Sequence, residues 1–241
     1  FTTRGYDVYA ADFDYHRARS LAEAQQLLAA HPGAKLLAGG HSLIPLMKLR
    51  LAAPATVIDI GRISELRGIA AAGEALRIGS LTTHAELASS AALRRAAPAL
   101  AEAAAVVGDP AVRNRGTIGG NVAHADPAAD WPVVMCALDA QLDLVSPTGR
   151  RSLPAEKFFI DQMETALLSG ELLIALRIPR LQKNHHFGFS KFTRKIGEFA
   201  DALAAVEQRR RDLGVQCHVR AQHDVRAVAG DRGQAVLALH A

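Results

Sequence analysis

Two short glycine-rich motifs, about 80 residues apart, constrain this chain more than any other feature. The first glycine motif (residues 38–42, AGGHS) follows an apolar segment typical of a strand, and the second (residues 117–121, TIGGN) follows Arg113 and Arg115. Adjacent glycines let the backbone adopt positive φ and let an anion approach the N–H groups closely. Neither motif has the spacing of a Rossmann fingerprint or a P-loop. Both indicate a backbone clamp for a phosphate-containing ligand.

Each motif alone leaves alternatives open. The first is also typical of an ordinary turn between a strand and a helix, and the second of a long irregular surface loop. Together they favour one long ligand held from two sides, and a dinucleotide such as FAD fits better than a mononucleotide. Asp130 precedes Trp131-Pro132, so we expect an extended backbone and a carboxylate that accepts hydrogen bonds from ribityl hydroxyls. A helix N-cap is the alternative role for Asp130.

Composition excludes several other classes of protein. Of the 241 residues, 49% are hydrophobic and 22% are charged, which is typical of a soluble globular chain. No apolar run is long enough for a membrane span, and no export signal is recognisable, so we expect a cytoplasmic protein. The net charge of +4 comes from scattered residues, which argues against nucleic-acid binding. The two cysteines, Cys136 and Cys217, are too few for an iron–sulfur cluster, which needs about four thiolates.

The order of predicted elements indicates an α+β fold. The first 60 residues alternate strands and helices as in a small parallel βαβ unit. Residues 93–107 are helical in pattern, with Pro98 placed to begin a second helical segment. Residues 141–146 and 151–154 predict a pair of strands, and residues 171–178 alternate like an antiparallel strand.

At this level of detail the chain resembles a known family. Residues 38–50 (AGGHSLIPLMKLR) and 112–130 (VRNRGTIGGNVAHADPAAD) resemble the FAD-binding (medium) subunit of molybdenum hydroxylases of the carbon monoxide dehydrogenase and xanthine dehydrogenase type. The segments 79–83 and 172–179 are also similar to family segments. The resemblance covers about residues 9–205.

The resemblance implies a two-subdomain FAD-binding fold of the PCMH type followed by a C-terminal α+β domain. The expected domains are an N-terminal FAD-binding subdomain over residues 9–60, a second FAD-binding subdomain over residues 61–180, and a C-terminal flavoprotein domain over residues 184–241. FAD is expected between the first two and to reach toward the third.

The resemblance also implies which residues contact FAD. Residues 37–44 and the second glycine motif are expected at the diphosphate and neighbouring groups. His124 and Asp130 are expected near the ribityl chain or ring, and Leu173 and Lys191 near the isoalloxazine. The predicted cofactor-binding residues are Leu37, Ala38, Gly39, Gly40, His41, Ser42, Leu43, Ile44, Thr117, Ile118, Gly119, Gly120, Asn121, His124, Asp130, Leu173 and Lys191. No catalytic residue and no metal ligand is predicted on this chain.

The function that the resemblance implies is an oxidoreductase subunit that relays electrons. A large molybdopterin subunit oxidises the substrate, and a small subunit with [2Fe–2S] clusters passes the electrons to FAD on this chain. FAD then delivers them to an external acceptor. The expected assembly is a dimer of heterotrimers, without nucleic acid. The substrate of the complex and the electron acceptor are not readable from this sequence.

The sequence changes character near its C-terminal end. After Val206 it becomes rich in Arg, Gln and His, without the alternation typical of a strand. We hypothesise a frameshift or truncated reading near this point, so that the C-terminal domain is incomplete or divergent. Two alternatives to the relay function follow. One is a stand-alone flavoenzyme such as UDP-N-acetylenolpyruvoylglucosamine reductase, against which residues 112–130 and the lack of a clear proton donor argue. The other is a degenerate assembly subunit with weak or no FAD binding.

Overall fold

The computed structural model describes the backbone of residues 9–180, 185–211, 214–222, 225–229 and 235–239, with side chains over residues 9–180 and 187–205. Within these residues the chain forms three sheets of three or more strands, two hairpins and a set of helices. This mixture confirms the predicted α+β class.

The first sheet is small and entirely parallel. Its strands lie in the order β1-β3-β2, and they are joined by two helices. The bounds are β1 (Asp14–Arg17), α1 (Leu21–Ala30), β2 (Lys35–Leu37), α2 (Leu43–Lys48) and β3 (Thr56–Asp59). The predicted parallel βαβ unit is therefore confirmed. Strand β2 lies at the sheet edge and is only half-buried, because β3 covers it on one side alone.

The second sheet has five antiparallel strands, and its central strand is long and apolar. The order is β4-β5-β10-β6-β7, with bounds β4 (Ile69–Ala72), β5 (Ala75–Gly79), β6 (Gln141–Ser146), β7 (Gly149–Pro154) and β10 (Leu172–Pro179). Nearly every residue of β10 is buried, because both faces of this strand are covered. The strands predicted at residues 141–146, 151–154 and 171–178 are all present.

Short helices between β5 and β6 cover one face of the second sheet. They are α3 (His84–Ser89), α4 (Ala91–Ala96), α5 (Pro98–Ala105), α6 (Pro110–Arg115), α7 (Ile118–His124) and α8 (Asp130–Ala137). Pro98 begins α5 as predicted, since a proline at the first helical position loses no hydrogen bond. Leu100, Ile118 and Trp131 are fully buried in the large core that these helices share with the sheet.

A helix and a hairpin connect β7 to β10. They are α9 (Ala155–Phe158), β8 (Phe159–Asp161) and β9 (Glu164–Thr165). Phe158 is fully buried, whereas Ile160 and Met163 of the hairpin are more than half exposed. The hairpin is anchored by its preceding helix and by the Met163 N–H group, which donates to the Ala125 carbonyl oxygen at 3.0 Å.

A third sheet follows, with antiparallel strands in the order β11-β12-β13. Its strands are β11 (His185–Phe192), β12 (Ala202–Arg211) and β13 (Gly214–Gln222), and a hairpin of β14 (Val225–Ala229) and β15 (Ala235–Leu239) comes after them. The sequence showed no alternation typical of a strand beyond Val206, yet β12 continues through this segment in register with β11. Strand pairing depends on backbone groups, so it does not require the alternation that sequence analysis sought. The interrupted reading frame stays a prediction.

The first and second sheets share a core. Ile58 and Ile63, beside the first sheet, pack in one cluster with Leu81, Leu172 and Ile174 of the second unit. The third sheet is joined to the helices through Leu203 and Ala205 of β12, which lie in the large core. Close-packed cores resist sliding of one element past another. These shared clusters therefore fix the position of the carboxyl ends of β2 and β3 relative to the helices.

Candidate functional site

A cleft of about 680 Å³ lies between the first sheet and the second unit. This volume falls within the roughly 300–1,000 Å³ typical of small-molecule pockets. Among the predicted cofactor-binding residues, those that line the cleft are Ala38, Gly39, Gly40, His41, Ser42, Leu43, Thr117, Gly119, Gly120, Asn121, His124 and Leu173. The structure therefore brings the two glycine motifs to one site, although about 80 residues separate them in sequence.

The first glycine motif presents a series of free backbone donors. The N–H groups of residues 39–43 have no hydrogen-bond acceptor in the described part of the chain. Gly40 has a φ of +80°, which turns the backbone between β2 and α2. Successive N–H groups around a left-handed residue form a concave anion site. Pro45 stands in the first turn of α2, where its lack of an N–H removes no helical hydrogen bond.

The first motif packs closely against the second motif and against the backbone that directly precedes it. A Cβ atom added to Gly39 would collide with the carbonyl oxygen of Arg115 and would lie 2.9 Å from the Cα atom of Gly116. On the other side, a Cβ on Gly120 would lie 3.7 Å from the Cβ of Ala38. Gly39 is thus needed for close approach, because no side chain fits between the two segments.

The second glycine motif is the start of a helix and not an open turn. Thr117 caps α7, and its Oγ1 accepts a hydrogen bond from the Gly120 N–H at 3.2 Å. The Ile118 and Gly119 N–H groups donate to the carbonyl oxygens of Thr82 and Ser80 at 3.0 and 2.8 Å. The protein already uses the N–H groups of Ile118, Gly119 and Gly120, so these three donors are not open to a ligand. The contact of this motif with the diphosphate stays a prediction.

What the second motif offers to the cleft is side chains. Asn121 Oδ1 and Ser80 Oγ are buried, and neither has a hydrogen-bond partner in the described part of the chain. Both residues line the cleft. A buried polar atom without a partner costs stability, so such atoms indicate a ligand that completes them. The free N–H groups, these two oxygens and the cleft volume together fit a molecule with phosphate and hydroxyl groups such as FAD.

Part of the cleft wall is a loop between β8 and β10 that the sequence did not indicate. Met163, Leu167 and Leu168 line the cleft there, and Met163 has a φ of +57°. Arg151 holds the loop by hydrogen bonds to Glu171 at 2.7 and 2.6 Å. These bonds lower the pKa of Glu171, although burial opposes the shift.

The other predicted cofactor-binding residues do not line the cleft. They are Leu37, Ile44, Ile118, Asp130 and Lys191. Ile118 is fully buried in the large core, and the Cδ1 atom of Ile44 lies beside Gly40. Residues adjacent in sequence to Leu37, Ile44 and Ile118 line the cleft, whereas those adjacent to Asp130 and Lys191 do not. The contact of these five residues with FAD stays a prediction.

Asp130 and Lys191 form a buried ion pair with each other. The Lys191 Nζ atom lies 2.9 Å from Asp130 Oδ2 and donates to the Val106 carbonyl oxygen at 3.1 Å. Burial raises the pKa of Asp130, and the charge of Lys191 opposes this rise. Asp130 is the first residue of α8 with Ala129 as its N-cap, so the expected extended backbone and the N-cap role are both wrong. Pro132 restricts the residue directly before it, and that residue is Trp131.

A buried histidine, His84, contacts the residue that precedes the second motif. The Trp131 Nε1–H donates to His84 Nδ1 at 3.1 Å, and the His84 backbone N–H donates to the Gly116 carbonyl oxygen at 3.1 Å. A Cβ on Gly116 would lie 3.0 Å from His84 Nε2. Burial, followed by the charges of His41 and Arg113, lowers the pKa of His84 to about 4. His84 therefore stays neutral at pH 7 and accepts the Trp131 hydrogen bond.

Comparison with known proteins identifies this architecture. Residues 11–181 match the family model described as "FAD binding domain in molybdopterin dehydrogenase". The fold and cleft thus define an FAD-binding domain of the molybdopterin dehydrogenases. The chain belongs to this family, as an FAD-binding medium subunit of molybdenum hydroxylases.

Individual relatives agree with this family. The chain is 44% identical over 209 residues to the carbon monoxide dehydrogenase medium chain of Hydrogenophaga pseudoflava, which covers 86% of this chain and 72% of that relative. It is 37% identical over 181 residues to the xanthine dehydrogenase FAD-binding subunit of Escherichia coli O157:H7, covering 73% of this chain and 62% of that relative. A solved structure of the Hydrogenophaga pseudoflava carbon monoxide dehydrogenase superposes with a TM-score of 0.86 at 40% identity, covering 95% of this chain and 78% of that one.

Two features are absent from the residues that the structure describes. No helix there has the length and apolar character that a membrane crossing requires. No group of three or more His, Cys, Asp or Glu side chains there is arranged to hold a metal ion.

The buried His84 predicts a pH dependence of folding. Its pKa is about 4 in the folded chain and 6.5 in the reference state, so between these values the unfolded chain binds a proton that the folded chain excludes. The contribution of neutral His84 to the free energy of unfolding is complete above about pH 6.5. As the pH falls from 6.5 to 4, the free energy of unfolding should decrease by about 3 kcal/mol. Urea titrations monitored by the fluorescence of Trp131, the single tryptophan, measure this change.

The matched variant for this prediction is His84→Gln. The glutamine carbonyl still accepts the Trp131 hydrogen bond but does not titrate, so the free energy of unfolding should depend less steeply on pH in this window. Equal slopes for the wild-type chain and His84→Gln would show that the proton is bound elsewhere.

Proposed function

We propose that this chain binds FAD in the cleft between the two glycine motifs and relays electrons from [2Fe–2S] clusters of a partner subunit to an external acceptor. The observation that supports this function best is the cleft itself. Free N–H groups line one side of it, and orphaned side-chain oxygens line another. FAD supplies the redox chemistry when it is bound, and the residues of the chain bind and orient it.

The polar groups of the cleft suggest how FAD is held. The N–H groups of residues 39–43 would donate to the diphosphate, since they have no other acceptor in the described chain. Asn121 Oδ1 can only accept a hydrogen bond, so it requires a cofactor hydroxyl or ring N–H. Thr117, His124 and Leu173 line the same cleft and would complete the contacts.

Asp130 and Lys191 would act through their mutual ion pair. This pair joins the start of α8 to β11, and its breakage leaves an uncompensated buried charge. We propose that it holds the third sheet beside the flavin end of the cleft. We also propose three domains, at residues 9–60, 61–180 and 184–241, because each of these ranges contains one of the three sheets.

The partner subunits are proposed from the relatives. Those relatives are named as medium chains or subunits of dehydrogenase complexes. We propose that this chain likewise joins a large molybdopterin subunit and a small [2Fe–2S] subunit, as a dimer of heterotrimers. The cytoplasmic location stays a prediction. The alternative of an assembly subunit that binds little FAD is not favoured, because both glycine motifs are intact and line the same cleft.

The collision predicted at Gly39 provides a test of FAD binding. Gly39→Ala places a methyl group against the Arg115 carbonyl oxygen. The affinity of the chain for FAD should therefore fall at least tenfold. Gly188→Ala is the control, because no atom lies within 4 Å of the added methyl group. FAD affinity is measured by quenching of flavin fluorescence. A wild-type chain that does not bind FAD would refute the proposed function.

The relay role is tested in the assembled complex. The chain is co-expressed with its large and small partner subunits, the complex is photoreduced without oxygen, and a quinone is added in a rapid-mixing experiment. We expect the clusters of the wild-type complex to be reoxidised quickly and those of a Gly39→Ala complex to stay reduced, because the flavin connects them to the acceptor. Equally rapid reoxidation without flavin would contradict the relay.

A further inference from the structure

Ser80 is a buried cleft residue whose hydroxyl group has no partner. It follows the last residue of β5, is 4% exposed, and lines the cleft. Its backbone is fixed on two sides, because its N–H donates to the Ile174 carbonyl oxygen at 3.1 Å and its carbonyl oxygen accepts from Gly119 at 2.8 Å. A Cβ on Gly119 would collide with the Ser80 side chain, so the two residues are closely packed. These contacts fix the position of the Ser80 backbone.

The residues that follow Ser80 show that an unpaired polar group is exceptional in this segment. Thr82 Oγ1 accepts from the Gly68 N–H at 3.0 Å and donates to the Gly68 carbonyl oxygen at 3.2 Å. Thr83 Oγ1 donates to Glu86 at 2.9 Å, and His84 Nδ1 accepts from Trp131. Burial of a hydroxyl without a partner is costly, so the unsatisfied group that faces the cleft indicates a ligand contact.

We propose that the Ser80 hydroxyl is a direct hydrogen-bonding contact of the bound FAD. This inference rests on the proposed FAD binding and adds a contact outside both glycine motifs. A hydroxyl both donates and accepts, so Ser80 can bind a phosphate oxygen or a hydroxyl group of the cofactor. Because β5, β10 and α7 meet at Ser80, the contact would fix the cofactor relative to the second sheet as well as to the motifs.

The test separates cofactor binding from folding. Ser80→Ala removes a hydroxyl that bonds to nothing in the FAD-free chain, so its free energy of unfolding without FAD should stay equal or rise. The same variant should weaken FAD binding about fivefold, the usual value for one lost hydrogen bond. The full-length chain is used, with flavin fluorescence for affinity and urea unfolding of the FAD-free chain for stability.

Three further variants make the test decisive. Thr82→Val keeps the shape of a buried residue two positions away but removes a hydroxyl that is already paired, so it should lower stability and change FAD affinity less than twofold. Ser80→Cys keeps the volume with a weaker donor and should reduce FAD affinity to an intermediate degree. Ser89→Ala, an exposed residue that bonds within α3, controls for loss of a serine.

The possible outcomes distinguish this inference from the proposed function. If the wild-type chain binds FAD and Ser80→Ala binds it equally well, the hydroxyl does not contact the cofactor and the inference is overturned. If Ser80→Ala weakens binding but also destabilises the FAD-free chain as Thr82→Val does, the role is structural and the inference is again overturned. If the wild-type chain does not bind FAD, the proposed function itself fails.

Discussion

The contact of Gly39 with the backbone of Arg115 and Gly116 is the constraint on which the cleft depends. A side chain at position 39 would separate the two segments, because its first carbon would meet the Arg115 carbonyl oxygen. Gly119 also allows a close approach, because it packs directly on Ser80 and leaves no room for a side chain. The core shared by the first two sheets holds the segments in place from behind. The geometry of the cofactor site is therefore a property of packing between two units and not of either motif alone.

The two glycine motifs contribute different chemistry, although their sequences are alike. The first leaves the N–H groups of residues 39–43 free, whereas the second bonds its own to Thr82, Ser80 and Thr117. We propose that the first motif binds the negative charge of FAD and that the second positions its uncharged polar groups through Asn121. This division follows from the position of the second motif, because the start of α7 is hydrogen-bonded to the residues that follow β5. These contacts would bind and orient FAD, and the proposed relay needs no general acid or base from the chain.

The local sequence predicted the helices and strands, whereas tertiary contacts determine which groups of the site are available to a ligand. Adjacent glycines after an apolar strand predicted the first motif, because the backbone requirement there is local. The same pattern at Gly119 and Gly120 predicted a turn, but docking against Ser80 overrides the low helix propensity of glycine. Ser80 was not predicted as a site residue, since an unpaired hydroxyl becomes visible only when its surroundings are known. The Asp130–Lys191 pair joins residues 61 positions apart, so no pattern within either segment indicates it.

Amide hydrogen exchange, measured residue by residue with and without FAD, tests the assignment of the diphosphate to the first motif most directly. The N–H groups of residues 39–43 are unbonded in the described chain and should exchange rapidly until FAD is added, and then slow strongly. The N–H groups of Ile118, Gly119 and Gly120 are already bonded and should exchange slowly in both states. The account is contradicted if FAD slows exchange at the second motif and leaves residues 39–43 unprotected.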